Sequence, residues 1–295
     1  MSMNDYRVLN WKPSPADSRD FPLRAMRAMR GARRAVVLPS CASLRAGCSP
    51  IRDQGQTGEC TGQALVGASE YLDAKAHGGV LSAQRSVKYA YYNGRRMMFP
   101  SQVRVDSGCY IRTVLKAGVR NGLSRGAFWP ESSPFDAKPS VSAYADGSVY
   151  QITEYGSCTG ASPSNTVDLI RESIFAGLPV MMGFDVYRDA FMSDEVAKTG
   201  VAKIPKRGDS REGGHAVMAV GYDDANAQLL FRNSWGEEWG DKGYGMLPYW
   251  YVLNGKASDF WAVSAQENGD GTAKFGWFSG LPGYLFGHTE KEIEK

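Results

Sequence analysis

The chain has 295 residues and 43% hydrophobic side chains, enough for one large domain or for two lobes that share a cleft. Its formal net charge of +3 is small for this length and does not favour nucleic acid as a partner. No apolar run reaches the roughly 18–20 residues that span a bilayer, and the polar N-terminus lacks the apolar core of a Sec-type signal peptide. We therefore expect no membrane partner, and a protein that is cytoplasmic or exported by a non-Sec route.

An arginine-rich region lies near the start of the chain. No acidic residue occurs between Phe21 and Arg52, whereas arginines accumulate there. Such composition is typical of a solvated terminal arm. We take residues 1–36 as an N-terminal arm and expect the folded domain to begin at residue 37.

The first part of the folded region is predicted to be mainly helical. After a short strand in VVLPSCASLR, apolar residues recur at helical spacing between Gly58 and Ala76, and the pair Gly78–Gly79 ends the pattern. The segments AQRSVKYAYYNGRR and GCYIRTVLKAGVRNG predict two further helices.

From about Asp168 the pattern changes towards strands. The segment VDLIRESIFAGLPVMMGFDVY predicts a helix, a Gly-Leu-Pro break and then a strand. Further strands are predicted in HAVMAVGYDD, LLFRNSWG, GYGMLPYWYV and DFWAVSAQ. An antiparallel β region should therefore follow the helical one, and the tail 266–295 predicts no particular role.

The cysteine pattern limits the possible sites. The odd number of cysteines, five, leaves at least one thiol free or paired outside the chain. Reduced thiols are favoured without a signal peptide, although two disulfides remain possible. No CxxC pair occurs, so we expect no structural zinc, no other metal and no cofactor.

Three histidines are available as catalytic bases. His77 lies near a predicted helix C-terminus, where positive charge is favourable, and His288 lies in the tail. His215 begins an apolar strand in REGGHAVMAVGY, and Asn233 follows a strand in FRNSWGEEWGDKGYG. A nucleophilic thiol needs a base, and the base needs a group that fixes its tautomer. Cys60, at the start of a predicted helix, completes this set.

Three motifs occur in a fixed order along the chain. They are QGQTGEC (Gln54 to Cys60), GGHAVMAVGY (Gly213 to Tyr222) and NSWGEEWGDKGYG (Asn233 to Gly245). On these motifs the sequence resembles the papain-like cysteine peptidases of bacterial type, over roughly residues 37–265. The resemblance implies an α+β, two-lobed fold, with a helical lobe, an antiparallel β-barrel-like lobe and an active-site cleft between them.

The resemblance also implies roles for individual residues. Cys60 is expected to be the nucleophile, His215 the general base and acid, and Asn233 the group that orients the imidazole. Gln54 is expected to donate its amide to the oxyanion beside the backbone N–H of Cys60. A helix N-terminus and a neighbouring imidazolium lower the pKa of a thiol, so we expect a thiolate–imidazolium pair before substrate arrives.

Further residues are expected to bind substrate or shield the site. By resemblance, Trp235 covers the bond between Asn233 and His215, Trp239 lines the primed side of the cleft, and Gly108 in DSGCYIR pairs with substrate backbone. The expected partners are protein or peptide substrates, and the chain is expected to be a monomer.

The sequence departs from the family around the nucleophile. Glu59 precedes Cys60 where a small residue is more usual, and Thr61 follows it where tryptophan is common. A carboxylate at residue 59 is expected to raise the pKa of the thiol or to favour basic substrates.

A disulfide common among relatives is also missing. Thr57 occupies the position of a bridged cysteine, so we expect the helical lobe to hold without a bridge there. Cys41 with Cys48 and Cys109 with Cys158 are the pairs to examine first.

The leading hypothesis is an endopeptidase that acts through a thioester on Cys60. The alternatives are an acyl transferase or isopeptidase with the same chemistry, or a binding module whose site has decayed. Intact Cys60, His215, Asn233 and Gln54 argue against the decayed module.

The N-terminal arm has two possible roles. In this family the segment before the catalytic domain commonly blocks the cleft in the direction opposite to substrate. We therefore expect residues 1–36 to be an inhibitory pro-segment, with NWKPSPADSRDF crossing the site, Trp11 or Phe21 filling a pocket, and processing within Arg24–Arg34. The alternative is a disordered arm without a regulatory role.

Overall fold

A computed structural model describes residues 7–23, 37–267 and 269, and the backbone of residues 273–275. The helices in these ranges are α1 (Cys60–Ala76), α2 (Val87–Met98), α3 (Ile111–Asn121), α4 (Val141–Gly147), α5 (Pro163–Phe175), α6 (Arg188–Phe191), α7 (Asp194–Thr199) and α8 (Trp250–Leu253). The strands are β1 (Cys41–Ser43), β2 (Ile152–Ser157), β3 (Val180–Tyr187), β4 (Arg211–Asp223), β5 (Gln228–Arg232), β6 (Tyr244–Pro248), β7 (Ala257–Glu267) and β8 (Ala273–Phe275). None of the described helices combines the length and apolarity that crossing a bilayer requires.

The helical lobe is built around α1, which packs against α2 and α3. Every residue of α1 from Cys60 to Ala74 is buried, because α1 is covered by helices on one side and by strands β4 and β7 on the other. Ser86 caps α2 by accepting a hydrogen bond from the backbone of Tyr89. Gly62 lies within van der Waals reach of α2, so the two helices approach closely.

The β lobe is one antiparallel sheet with strand order β2-β7-β3-β4-β5-β6, in which β1 pairs with β4 and β8 pairs with β7. The central strands β3 and β4 carry nearly continuous apolar runs and are buried along most of their length. Such runs are expected where both faces of a strand are covered. The register places Phe184 of β3 opposite His215 of β4. The predicted α+β architecture is confirmed.

Buried ion pairs join the nucleophile helix to neighbouring segments. Glu70 of α1 is fully buried and accepts hydrogen bonds from the Arg52 guanidinium and from the backbone of Arg85. Asp73, one turn further, is paired with the Arg85 side chain at 3.1 Å. Burying a carboxylate costs less free energy when it is paired with a cation or a hydrogen-bond donor, so these contacts fix α1 against the loops around it.

Two boundaries differ from the sequence predictions. In GYGMLPYWYV only Tyr244–Pro248 is a strand, and Trp250–Leu253 forms a short helix. The catalytic-domain boundary predicted at residue 265 falls inside β7, which runs to Glu267 and pairs with β8. The sheet therefore takes in the first part of the segment predicted as a tail.

Candidate active site

Cys60 is the first residue of α1, at the end of a turn that Gly55 enters with φ +56°. Its side chain is buried, and the backbone N–H of Ala216 donates towards its sulfur. Ala216 follows His215 on β4, so the thiol of the helical lobe lies against the histidine strand of the β lobe. The N-terminus of α1 adds a partial positive charge at the sulfur.

His215 and Asn233 form a hydrogen-bonded pair. His215 Nε2 lies 2.8 Å from Asn233 Oδ1, which also accepts from the backbone of Ser234. The Trp235 ring covers the imidazole, with ring centroids 4.8 Å apart. Asn233 thus fixes the tautomer that leaves His215 Nδ1 free to exchange a proton, and this nitrogen has no hydrogen-bond partner among the described residues.

Gln54 is held beside the nucleophile by both lobes. Its Oε1 accepts from the Ser234 hydroxyl at 2.6 Å, and its backbone N–H donates to the Ser234 carbonyl. Its Nε2 donates one proton to the carbonyl of Thr57 at 2.9 Å. An amide nitrogen carries two protons, so one remains for an oxyanion.

The protonation of the pair differs from the expected thiolate–imidazolium. Burial raises the pKa of the Cys60 thiol to about 12 and lowers that of His215 to about 4. Both shifts favour the neutral form, because burial penalises charge. An ion pair in the open cleft stays a prediction.

An N-terminal segment, which we call the covering strand although it pairs only through an isolated bridge between Asn10 and Gly214, lies across the site. The backbone of Trp11 donates to the Gly214 carbonyl at 3.1 Å, and Gly214 donates to the Leu9 carbonyl at 3.3 Å. On the opposite side Asn10 faces Gly108, where a Cβ atom would come within 2.3 Å of the Asn10 carbonyl oxygen. Residues 9–11 therefore lie between the two lobes, directly beside His215.

The Trp11 indole fills a slot on the face of the paired strands β3 and β4. It is 2% exposed, whereas Phe21 is 46% exposed, so Trp11 is the one of the two predicted residues that occupies a pocket. The slot exists because Gly183 and Gly214 lack side chains: a Cβ atom would come within 1.9 Å of the indole at Gly183 and within 2.7 Å of it at Gly214. The missing side chains thus allow the ring to approach the backbone of both strands.

Contacts on both sides anchor the covering strand. Arg7 donates to the Trp235 carbonyl at 3.1 Å and pairs with Asp53. Further along, the Ser14 hydroxyl donates to Asp259 at 2.8 Å. Still further along, the Asp20 carboxylate forms an ion pair with the Arg112 guanidinium of α3, with Oδ2 and Nη1 2.6 Å apart.

Comparison with known proteins agrees with this geometry. Residues 38–249 match the family model described as papain family cysteine protease. The chain belongs to the papain family of cysteine proteases. It is 30% identical to the solved structure of xylellain, a cysteine protease from Xylella fastidiosa, with a TM-score of 0.71 over 86% of this chain and 95% of that one.

Sequence relatives extend the likeness. An uncharacterized peptidase C1-like protein of Acanthamoeba polyphaga mimivirus is 33% identical over 216 residues, 72% of this chain and 68% of that protein. Cathepsin K of Gallus gallus is 26% identical over 255 residues, 83% of this chain and 66% of that protein. The chain spans only 39% of a third relative, the gamete and mating-type specific protein A of Dictyostelium discoideum. The predicted family and its cysteine peptidase class are confirmed.

Two predicted papain-family subsites have different surroundings. Gly108 has φ +70° and abuts the covering strand, although its N–H already donates to the Tyr91 hydroxyl. Trp239 is fully buried, with ring contacts to Trp235, Phe191 and Phe231. Trp239 thus packs behind Trp235, and the roles of Trp239 and Gly108 towards substrate stay predictions.

No disulfide joins the five cysteines, all of which lie within the described ranges. Neither of the two disulfides singled out from the sequence forms. Cys48 donates to a backbone carbonyl, and Cys158 lies 3.5 Å from the Ser173 hydroxyl. The helical lobe therefore holds without any of these bridges.

Glu59 is buried and paired with Lys88 of α2 at 2.6 Å. The prediction that it favours basic substrates is therefore not supported, because its charge is already balanced within the protein. Its expected effect on the nucleophile is present: its charge is among the causes that raise the pKa of Cys60. Sequence reasoning missed Lys88, since no motif connects a lysine on α2 with a glutamate before α1.

Proposed function

We propose that this protein is an endopeptidase that hydrolyses peptide bonds through a thioester on Cys60. The observation that carries the proposal is the 2.8 Å pair of His215 with Asn233 on the strand that faces the Cys60 sulfur. In this constellation a base, its orienting group and a thiol at a helix start meet in one cleft.

Each group has one task in the proposed reaction. His215 takes the thiol proton as the Cys60 sulfur attacks the substrate carbonyl carbon, and the backbone N–H of Cys60 and Gln54 Nε2 donate to the resulting oxyanion. His215 then gives that proton to the leaving amine as the carbon–nitrogen bond breaks. In the second half, His215 takes a proton from the water that attacks the thioester, and it returns this proton to the sulfur as the carbon–sulfur bond breaks and the acid is released.

We propose in addition that the N-terminal arm is an inhibitory pro-segment. Its support is the backbone pairing of residues 9–11 with Gly214 and the placement of Trp11 in the slot. Arg7 lies at Trp235, which packs against Trp239, the residue that the resemblance assigns to the primed side, while Ser14 lies beyond Trp11 at Asp259. The arm would thus run opposite to substrate, so that no bond of its own is aligned with Cys60.

Processing of the arm is proposed within Arg24–Arg34, which lies outside the described residues. Cleavage there would leave the covering strand attached only through the contacts of residues 7–23. An acyl transferase would use the same residues, and product analysis with and without an added amine acceptor separates it from a peptidase.

The proposal is tested by comparing the full-length chain with a chain that begins at Val36, on a small fluorogenic peptide. The shorter chain should hydrolyse at once, and the full-length chain should show a lag that shortens as the arm is cleaved. Equal initial rates without lag or self-cleavage would rule out an inhibitory arm. No hydrolysis by the shorter chain, together with a Cys60 that an epoxide probe does not label, would rule out the peptidase.

A further inference from the structure

An ion pair and hydrogen bonds hold residues 57–59, the loop that precedes Cys60. The ammonium of Lys88 lies 2.6 Å from Glu59 Oε2 and 3.4 Å from the Thr57 hydroxyl. Gln63, one turn into α1, donates to the other oxygen of Glu59 at 3.0 Å. Lys88 thus contacts the residue immediately before Cys60 and the residue whose carbonyl holds the Gln54 amide.

A second clamp from α2 acts on the same loop. The Tyr91 hydroxyl, three residues after Lys88 and on the same face of the helix, hydrogen-bonds to Asp106. Asp106 in turn accepts from the backbone of Gly58 at 2.8 Å. Residues 57–59 are therefore fixed from α2 without any covalent bond.

We propose that Lys88 is a positioning residue for the proteolytic reaction, acting through Glu59 and Thr57. The inference rests on the proposed thiol chemistry of Cys60. Lys88 fixes the loop that carries the Gln54 amide, and its positive charge balances the carboxylate of Glu59 beside the nucleophile. Without Lys88 the carboxylate would stabilise the protonated thiol, since a nearby negative charge disfavours thiolate.

Other charged groups surround this cluster and stay unchanged in the test. Glu131 accepts from the backbone of Val87 and interacts with both Lys88 and Glu59, and Arg52 interacts with Glu131 while pairing with Glu70. Across the cleft His215 faces Cys60, and Asp106 lies on the far side of the loop. Among these groups Lys88 is the cation in direct contact with Glu59.

The test measures iodoacetamide modification of Cys60 in the full-length chain, quantified by peptide mass at about pH 9. Lys88→Met should slow modification about three- to tenfold, equivalent to a shift of about 0.5–1 pH unit. Lys88→Arg should retain the wild-type rate because it keeps the charge. The double variant Lys88→Met with Glu59→Gln should recover most of the lost modification rate, because the carboxylate without a counter-charge has been removed. The covering strand is present in every variant, so the slowing of modification that it causes cancels when the rate of each variant is divided by the wild-type rate.

Lys116→Met serves as the matched control, because Lys116 is an exposed lysine on α3. A Lys88→Met rate equal to the control rate, or a double variant as slow as Lys88→Met, overturns the inference. Thermal melting of each variant separates unfolding from loss of positioning. Absence of peptide hydrolysis by the chain that begins at Val36 would instead contradict the proposed function, since modification of Cys60 does not require hydrolysis.

Discussion

The two sides of the cleft hold their catalytic groups by different forces. On the helical side, Cys60 and Gln54 depend on hydrogen bonds and buried charges such as Lys88 with Glu59. On the β side, the His215 imidazole lies among rings, with Trp235 and Phe184 at centroid distances of 4.8 and 5.9 Å. Charge contacts respond to pH and to single charge changes, whereas aromatic packing responds mainly to loss of volume.

The largest expected effects come from one substitution on each side. Cys60→Ala should abolish turnover and leave the melting temperature nearly unchanged, because it removes the nucleophile and only one buried atom. Trp235→Ala should lower activity and also destabilise the fold by about 3–5 kcal/mol, because it empties a fully buried aromatic site. Peptide hydrolysis and thermal melting of both variants check this. Equal stability losses would remove the distinction between the two sides.

The next effect concerns the oxyanion on the helical side. Gln54→Ala should lower kcat about 10²–10³-fold with little change in KM, because its free amide proton is used only when charge develops on the carbonyl oxygen. Ser234→Ala is the matched control: it removes the hydroxyl that holds Gln54 Oε1 but leaves the amide itself. Steady-state measurement of kcat and KM for each variant on one peptide tests this prediction. A rise in KM alone would refute the oxyanion role.

Much of this arrangement was predictable because the catalytic residues lie in short contiguous motifs. Gln54 and Cys60 lie in one motif, and β4, which carries His215, is the neighbour of β5, which Asn233 follows directly. The slot for Trp11 was not predictable, since Gly183 and Gly214 come from separate strands and only their pairing forms it. The Arg7 guanidinium on the covering strand, which also lowers the pKa of His215, was not predictable either, because Arg7 is distant from His215 in the sequence.

A smaller effect is expected from the arm that joins the two sides. Trp11→Ala should reduce the free energy that holds the covering strand in the cleft by about 2–3 kcal/mol. A fully buried indole is then lost from a slot that does not collapse around alanine. The initial rate of the full-length chain should then rise and its lag should shorten. Phe21→Ala is the control, since this ring is half-exposed on the same segment. An unchanged lag in Trp11→Ala with a normal fold would show that the indole does not hold the cover.

The smallest expected effect is that the covering strand opens more readily as the pH falls. His215 has its pKa lowered to about 4 beneath the cover, against an ordinary value of 6.5. Between these values the covered state binds fewer protons than an open site would, so a fall in pH through this window favours opening, by about 3 kcal/mol at most. Hydrogen exchange of residues 7–23 in a Cys60→Ala chain should therefore be faster at pH 5 than at pH 7, after correction for the intrinsic rate. His215→Gln should lessen this difference, while the contacts of Arg7 with Asp53 and of Arg112 with Asp20 are kept in both chains. If the pH difference were the same in both chains, the imidazole would not contribute, and the charge contacts of the arm alone would set its release.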